Sequence, residues 1–328
     1  MRRLTLILSD LYLPEQGVGG DFPQTLVLPE LGRLLRFARS AERIGDWRRW
    51  LLWQIGGSLV EIPLAAICAY ERVSGAELDS AWLATPVALE ARLDHVRMAD
   101  RGLLHLEAGE RAAWCAEFNR VFGSEYSLHD CGERAFILSG LAPSSEVSDP
   151  ARVLGAEIGP ALPGAAAPEL RRLWTEIEMW LHGSALNDAR ERARQRRVSA
   201  LWLWGRQADA RGSRGNDDRD VELYGADPLV GGLSSMRQPQ RRGAPQSLAQ
   251  IDSARAHVIV EFAALTGRAH EGLAALDANW FAAARQALTS GELSRLEIVA
   301  NDRCFRITPH AHWRFWRRPR GWLENLAR

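Results

Sequence analysis

An aspartate follows the first apolar segment of the sequence, at a place where α/β proteins commonly bind ligands. Leu4 to Leu8 form a short apolar run, and Ser9 and Asp10 come directly after it. The carboxyl end of a strand is the usual ligand-binding edge of an open α/β sheet, and a carboxylate there suits a divalent cation. A capping or turn-forming role is the simpler explanation of such an aspartate. Asp10 is therefore a candidate for ligand binding first and for metal binding second.

The histidines and cysteines give little support for a metal centre. The eight histidines include no HxxxH or HExxH motif, the spacings that place two ligands on one helical face. His310 and His312 alternate along a predicted strand, so both rings would point to one face. The pair indicates a metal site no more strongly than a solvated edge strand. The four cysteines form no CxxC pair, and we expect free thiols in a reducing compartment.

Lysine is absent from the sequence, because all 41 basic residues are arginine. Lysine nucleophiles, Schiff bases and the lysine of a P-loop are therefore excluded. No GxSxG motif marks a serine nucleophile. Arginine is left as the main basic group, and its planar fork of donors suits phosphate and carboxylate.

A basic segment precedes the most apolar strand of the sequence. Residues 186–205, LNDARERARQRRVSALWLWG, predict a helix end, a basic connection and a strand from Val198 to Trp204. An unbroken apolar run is typical of a strand covered on both faces of a parallel sheet. The arginines could hold a phosphate-bearing ligand. The ligand-binding candidates in this region are Asn187, Arg190, Arg192, Arg194 and Arg206.

The composition indicates a globular chain without a net field. The 328 residues have a formal net charge of zero and are 46% hydrophobic, so the composition favours neither nucleic acid nor an anionic membrane as a partner. The first apolar run is too short for a signal peptide. No apolar run reaches the roughly 20 residues that a membrane span needs. We therefore expect a cytoplasmic protein.

Hydrophobic periodicity predicts an α/β fold with a mostly parallel central sheet flanked by helices. The order strand, helix, strand, strand predicts a small inserted α+β subdomain at residues 91–140. Three segments near the end of the chain predict a C-terminal antiparallel meander. The expected divisions are a main domain of residues 1–90 and 165–328, the inserted subdomain, a linker at 141–167 and a mobile loop at 207–247.

Two aromatic segments suggest contacts with partners. Trp47, Trp50 and Trp53 recur every three residues, which favours a helical stripe that packs in the core or joins two copies in a homodimer. Near the end of the chain, HAHWRFWRR interleaves arginine with tryptophan. Such a tail can stack on nucleotides, although the neutral net charge makes this a minor alternative.

Several segments, taken in order, resemble the bacterial RpfE-type regulatory proteins, a phosphoglycerate-mutase-like family. The segments are LTLILSDLYLP, LPELGRLLRFA, LDHVRMAD, LNDARERARQRRVSALWLWG, LDANWFAAARQALTSGELSRLEIVANDRCFRI and HWRFWRRP. They span most of the chain. The family is in turn similar to the cofactor-independent phosphoglycerate mutases of the alkaline-phosphatase superfamily. The resemblance therefore implies that superfamily's fold.

The resemblance also implies where the mutase site residues should lie. In those mutases an aspartate after the first strand binds metal, and Asp10 stands at the matching place. Their Asn-x-x-Arg segment is matched by Asn187 and Arg190. The mutases use a serine nucleophile in a two-metal site of Asp and His ligands. Here GDWRRWLLWQIGG stands where the nucleophile is expected, and the later Asp-His and His-x-x-x-His groups are missing.

These departures predict a catalytically silent, phosphoglycerate-mutase-like regulatory protein. It is expected to bind a phosphate-bearing small molecule or a protein partner and to need no cofactor. The first alternative is an active metal-dependent phosphomutase or phosphohydrolase with a reorganised site that uses Mn, Mg or Zn. The second alternative is a nucleic-acid-associated regulator that acts through the Arg/Trp tail. Fold-level analogy does not decide among these functions.

Overall fold

The structure is a computed structural model that describes most of the chain in two units. The described ranges are 2–11, 26–39, 41–132, 135–142, 147–162, 167–206, 220–237, 245–251, 255–263, 269–300, 302–313 and 316–326. The first unit comprises residues 1–60, 213–230 and 238–328. The second unit comprises residues 61–212 and 231–237. The inserted subdomain at 91–140 and the linker at 141–167 remain predictions.

Eleven strands lie within the described ranges. They are β1 (Arg2–Ser9), β2 (Ala41–Arg43), β3 (Trp82–Ala91), β4 (Val96–Leu103), β5 (Ser127–Asp130), β6 (Phe136–Ser139), β7 (Ala200–Trp204), β8 (Val221–Tyr224), β9 (His257–Ala263), β10 (Leu293–Ala300) and β11 (Arg303–Ile307).

The same ranges contain eleven α-helices. They are α1 (Pro29–Phe37), α2 (Trp47–Ile55), α3 (Leu64–Ala69), α4 (Ala76–Asp79), α5 (Ala108–Phe122), α6 (Pro168–His182), α7 (Ala185–Arg192), α8 (Pro228–Arg237), α9 (Ala269–Leu276), α10 (Ala282–Ser290) and α11 (Trp322–Leu326). Short 3₁₀ segments lie at Gly57–Glu61, Pro150–Val153, Gly159–Ala161, Leu248–Gln250 and Pro309–Trp313, and a π-helical turn lies at Asp277–Phe281.

The first unit contains a six-stranded mixed sheet in the order β2-β11-β10-β1-β9-β8. Strands β10, β1, β9 and β8 are parallel neighbours, whereas β11 and β2 run antiparallel at one edge. Alternate residues of β1, such as Leu4 and Leu6, enter an apolar core with α1, α10 and α11. The parallel arrangement brings the carboxyl ends of β1, β8 and β9 to one edge.

Local sequence explains how the helices near this edge begin. Pro29 lies in the first turn of α1, where its missing N–H costs nothing. The Asp277 carboxylate accepts the backbone N–H groups of Glu30 and Leu31 at 3.2 and 2.7 Å. Asp46 caps α2, since its side chain accepts from the backbone N–H of Arg48 at 2.8 Å.

The second unit contains a five-stranded sheet whose pairings are all antiparallel. Its order is β4-β3-β6-β5, and β7 pairs with β3. Every residue of β7 is buried, as its apolar sequence predicted. Helix α6 buries one apolar stripe, formed by Leu170, Leu173, Trp174, Ile177 and Leu181.

The α/β class is confirmed, but three details of the predicted fold are wrong. The Val198–Trp204 segment is not the centre of a parallel sheet, because an apolar run reports burial on both faces and not the direction of its neighbours. Only the first sheet is mostly parallel. The predicted third meander strand begins instead with a 3₁₀ turn at Pro309–Trp313.

Residues 221–237, in the stretch predicted as a mobile loop, form β8 and α8. The rest of that stretch, 207–219 and 238–244, lies outside the described residues. Within the described part of the chain, no helix is long and apolar enough to cross a membrane.

Candidate functional site

Asp10 lies at the carboxyl edge of the parallel strands, as the sequence predicted. Its backbone has a φ of 59°, which is unusual for a residue other than glycine, although aspartate tolerates it better than most. The residue is 3% exposed. A buried carboxylate in a strained turn needs a specific partner, because an isolated buried charge is costly.

Arg48 supplies that partner. Its Nη1 lies 3.1 Å from Oδ1 of Asp10, and its Nη2 lies 2.8 Å from Oδ2 of Asp227. The arginine side chain is 7% exposed and both carboxylates are 4% exposed. The guanidinium also lies over the Trp47 ring, 4.5 Å from its centroid. The Arg48 guanidinium therefore joins the carboxyl end of β1 to the β8–α8 connection.

The third carboxylate at this edge, Glu261 of β9, is also bound within the first unit. Its Oε1 accepts a hydrogen bond from the Ser9 hydroxyl at 2.5 Å. Its Oε2 accepts the backbone N–H groups of Ala226 and Asp227 at 3.0 and 3.1 Å. Gly225, with a φ of 155°, allows this approach, because a Cβ there would lie 2.7 Å from Oε2. We call Ser9, Asp10, Arg48, Asp227 and Glu261 the arginine-bridged cluster.

The arginine-bridged cluster does not fit a divalent metal ion. Such an ion needs several carboxylate or imidazole ligands that converge on one point. Both oxygens of Asp227 already accept hydrogen bonds, from Arg48 and from the Leu229 backbone N–H, and both oxygens of Glu261 do the same. The described residues contain no group of three or more His, Cys, Asp or Glu side chains placed to hold a metal.

Asn187 and Arg190, two of the predicted ligand-binding residues, form internal contacts in the second unit. The Asn187 amide donates to the carbonyls of Leu181 and Val198 at 2.8 and 2.9 Å and accepts from the Val198 N–H at 2.7 Å. Arg190 donates to the Arg196 carbonyl at 2.6 Å and pairs with Glu110. Both residues are buried. They join α7 to the segment that enters β7.

The other predicted arginines differ in their surroundings. Arg192 is exposed and donates to the Asp188 carbonyl at 3.2 Å, and Arg194 is exposed with a φ of 58°. Arg206 is half-buried after β7. Its Nε and Nη1 atoms are buried and have no hydrogen-bond partner among the residues that the structure describes. Burial lowers the pKa of Arg206, and Asp79 opposes that shift. Asp10 belongs to the first unit and these arginines to the second.

The remaining candidates from the sequence do not assemble a reactive centre. His310 is exposed, and its ring lies 5.6 Å from the ring of Trp313. His310 and His312 lie in a 3₁₀ turn and not in a strand. The four cysteines are free thiols. Burial raises the pKa values of Cys115 and Cys304 to about 12, so neither is a ready nucleophile.

Four residues of the arginine-bridged cluster were not candidates from the sequence: Ser9, Arg48, Asp227 and Glu261. Glu261 had a usable signal, because a charged residue in the apolar run HVIVEFAA requires a buried partner. Arg48 was concealed within the tryptophan stripe of α2, and Asp227 follows a strand of only four residues. Trp47 and Trp50 of that stripe are buried, whereas Trp53 is 49% exposed. A homodimer through the stripe remains a prediction.

Comparison with known proteins gives structural similarities only. No protein-family model matches the chain, and no curated protein matches it. The cofactor-independent phosphoglycerate mutase of Thermoplasma acidophilum is similar at 16% identity, over 94% of this chain and 90% of the mutase, with a TM-score of 0.38. A Pyrococcus horikoshii protein is similar at 11% identity, over 92% of this chain and 82% of the other, with a TM-score of 0.43. Neither similarity assigns an activity to this chain.

Proposed function

We propose that this chain is a catalytically silent, phosphoglycerate-mutase-like regulatory protein in which an arginine takes the place of a metal ion. The observation that carries the proposal is the position of Arg48 between Asp10 and Asp227. The regulatory role itself comes from the sequence resemblance to the RpfE-type proteins.

A guanidinium cannot perform the chemistry that a metal ion would supply. A catalytic metal keeps an open coordination position, polarises the phosphoryl oxygen and activates a nucleophile. Arg48 is a fixed charge without such a position, and its side chain is 7% exposed. Its role in this proposal is to neutralise Asp10 and Asp227 and to hold α2 against the end of the sheet.

The one hydroxyl of the arginine-bridged cluster is also poorly placed for attack. Ser9 contacts a carboxylate in the manner of a nucleophile beside a base. The same hydroxyl lies 3.0 Å from the Phe262 carbonyl, and the residue is completely buried. A phosphorylated substrate needs access to the attacking oxygen. The geometry therefore supports a structural hydrogen bond and not a nucleophile.

Metal analysis combined with turnover assays tests this proposal. The purified protein is incubated with Mn²⁺ or Zn²⁺, dialysed and analysed for bound metal, and it is assayed with 3-phosphoglycerate and p-nitrophenyl phosphate. We expect substoichiometric metal and no turnover. Stoichiometric metal, together with turnover that Asp10→Asn abolishes, would overturn the proposal in favour of a metal-dependent enzyme.

Arg206 supports the part of the proposal that concerns a phosphate-bearing ligand. Two of its buried nitrogens have no hydrogen-bond acceptor among the described residues, and unsatisfied buried donors are costly. An oxyanion would satisfy both donors at once. Calorimetric titration with inorganic phosphate should show binding to the wild type and none to Arg206→Gln. Equal binding by the two proteins would remove Arg206 from the ligand site.

A further inference from the structure

An open groove with an arginine rim lies in the first unit, away from the arginine-bridged cluster. Its volume is about 510 Å³. Two segments form it: Leu26–Arg36, with the first turns of α1, and Pro319–Glu324, with the start of α11. We call it the arginine groove.

Direct contacts hold the two walls of the arginine groove together. The Trp322 indole N–H donates to the Leu26 carbonyl at 2.8 Å. Trp322 is 5% exposed, and its Cβ lies 3.9 Å from the place where a Cβ of Gly32 would be. These contacts hold the two walls against each other, which lowers the free-energy cost of ordering them when a segment binds.

The lining of the arginine groove combines apolar and basic side chains. Its apolar members include Val27, which is 74% exposed, and the partly buried Leu323. Its basic members are Arg33, which pairs with Glu30, Arg36 and Arg320, and its one acidic member among the described residues is Glu324. The exposed valine suits an apolar side chain of a partner, and arginines suit carboxylates.

A second cleft extends the same basic surface. It has a volume of about 390 Å³, is lined by Trp316, Arg317, Arg318 and Arg320, and shares Arg320 with the groove. Arg317 is fixed there, because its Nη1 donates to the Arg36 carbonyl at 3.0 Å. Trp316 is 68% exposed. On a chain with zero net charge, five arginines on adjoining clefts form a local positive surface.

We propose that the arginine groove binds a short acidic peptide segment of a partner protein. One apolar side chain of the peptide packs against Val27, and flanking carboxylates pair with Arg318 and Arg320. The proposal names the kind of partner for the proposed regulatory function and rests on it. The one described aromatic residue that lines the groove itself, Trp322, is 5% exposed, and Trp316 lies in the second cleft. Single-stranded nucleic acid stacks successive bases on aromatic side chains along a basic channel, so the groove favours a peptide.

Selection from a random peptide library tests the proposal. Peptides displayed on phage are selected on the immobilised full-length wild type after depletion on an Arg318→Glu/Arg320→Glu variant. We expect the selected peptides to carry Asp or Glu around one large apolar residue. Their affinity, measured by fluorescence anisotropy, should fall at least tenfold for Arg320→Glu and for Val27→Glu, and it should weaken with added salt.

A matched charge reversal controls for the general effect of a lost arginine. Arg172 of α6, in the second unit, has a 75% exposed side chain that pairs with Glu176. Arg172→Glu should leave the peptide affinity unchanged. Circular dichroism of each variant verifies that it has folded.

Three outcomes would overturn the proposal: no enriched peptides, enriched peptides without acidic residues, or equal affinity for wild type and Arg320→Glu. An oligothymidylate probe could instead bind more tightly than the selected peptides and lose its binding in Arg320→Glu. That result would assign the surface to nucleic acid. None of these results changes the metal content or turnover. Failure of the groove is therefore distinguishable from failure of the proposed catalytic silence.

Discussion

Two groups of arginines in the first unit show opposite uses of the same side chain. Arg48 is buried between two carboxylates that are themselves buried. Arg318 and Arg320 are exposed, and neither guanidinium has an ion-pair partner in the part of the chain that the structure describes. A buried arginine is committed to the fold, whereas an exposed and unpaired one is available to a partner. Burial and pairing, and not residue type, decide which arginines are available.

Removal of Arg48 should have the largest effect on stability. Arg48→Ala leaves Asp10 and Asp227 buried without their cation, which typically costs about 3–5 kcal/mol of unfolding free energy. Urea denaturation followed by circular dichroism measures the loss. The control is Arg33→Ala, whose 60% exposed side chain pairs with Glu30 and should change stability by less than about 1 kcal/mol. Equal losses of stability in Arg48→Ala and Arg33→Ala would show that burial of Arg48 between two carboxylates does not set it apart from an exposed arginine.

The Arg48→Ala variant also tests the proposal that an arginine takes the place of a metal ion. Without the guanidinium, the buried carboxylates of Asp10 and Asp227 lose their shared cation and attract another. Mn²⁺ should therefore raise the melting temperature of the variant, because a ligand that binds the folded state stabilises it. The wild type should show no such shift. A large Mn²⁺-dependent rise in the melting temperature of the wild type would contradict the proposal that Arg48 occupies the place of a metal ion.

Asn187 should show the next largest effect, in the second unit. Asn187→Ala removes three hydrogen bonds to buried backbone groups of Leu181 and Val198. The Leu181 carbonyl still accepts the Ser184 N–H at 3.3 Å, so the two Val198 groups are the ones that lose a partner. At about 1–3 kcal/mol for each unsatisfied group, the total loss should be about 2–4 kcal/mol. Thermal unfolding measures it. The exposed Arg192→Ala should change stability by less than about 0.5 kcal/mol. A stable Asn187→Ala variant that has lost phosphate binding would instead place the residue in a ligand site.

Glu297 of β10 is an intermediate case, a buried carboxylate paired with partly exposed arginines. It is completely buried and lies 2.8 Å from Arg3 and 3.2 Å from Arg306. Thr5 donates to it at 3.2 Å and also contacts His257 at 2.9 Å, and Arg295 lies 3.9 Å away. Burial alone would raise the pKa of Glu297, but the arginines outweigh burial and the net pKa is lowered.

A lowered carboxylate pKa in the folded state gives a defined dependence on pH. Its stabilisation is present above the ordinary glutamate pKa of about 4.3 and is lost as the pH falls through the lower folded pKa. Glu297→Gln should therefore cost about 1–2 kcal/mol near neutral pH and flatten the decline of stability in acid. Urea denaturation across that pH range measures both. An unchanged acid slope in the variant would show that Glu297 is not the group responsible.

Much of the fold could be predicted because it depends on local periodicity and capping. The Leu170–Leu181 stripe of α6 and the apolar runs of β1 and β9 are visible in the sequence. The direction of pairing is not, because β7 is equally apolar in a parallel or an antiparallel sheet. The ten residues of β3 pair with three neighbours, β4, β6 and β7, and two of these lie far from it in the sequence.

The candidate site was less predictable, because it joins distant parts of the sequence. Asp10 was predicted from its place after β1, but its partners come from residues 48 and 227. No spacing rule links such positions without a known topology. The sequence showed the Asn187 and Arg190 motif but not its internal hydrogen bonds, because it does not show which side chains become buried.

Charge reversal of the exposed Arg320 should have the smallest effect on stability. Arg320→Glu should change the unfolding free energy by no more than about 0.5 kcal/mol, because the side chain is exposed and has no ion pair with any described residue. Differential scanning calorimetry measures this against the wild type. Arg48→Glu in the same assay should unfold the first unit, since it places a third carboxylate beside Asp10 and Asp227. A loss in Arg320→Glu comparable to that of Arg48→Ala would mean that Arg320 supports the fold, and the arginine groove would then have no arginine reserved for a partner.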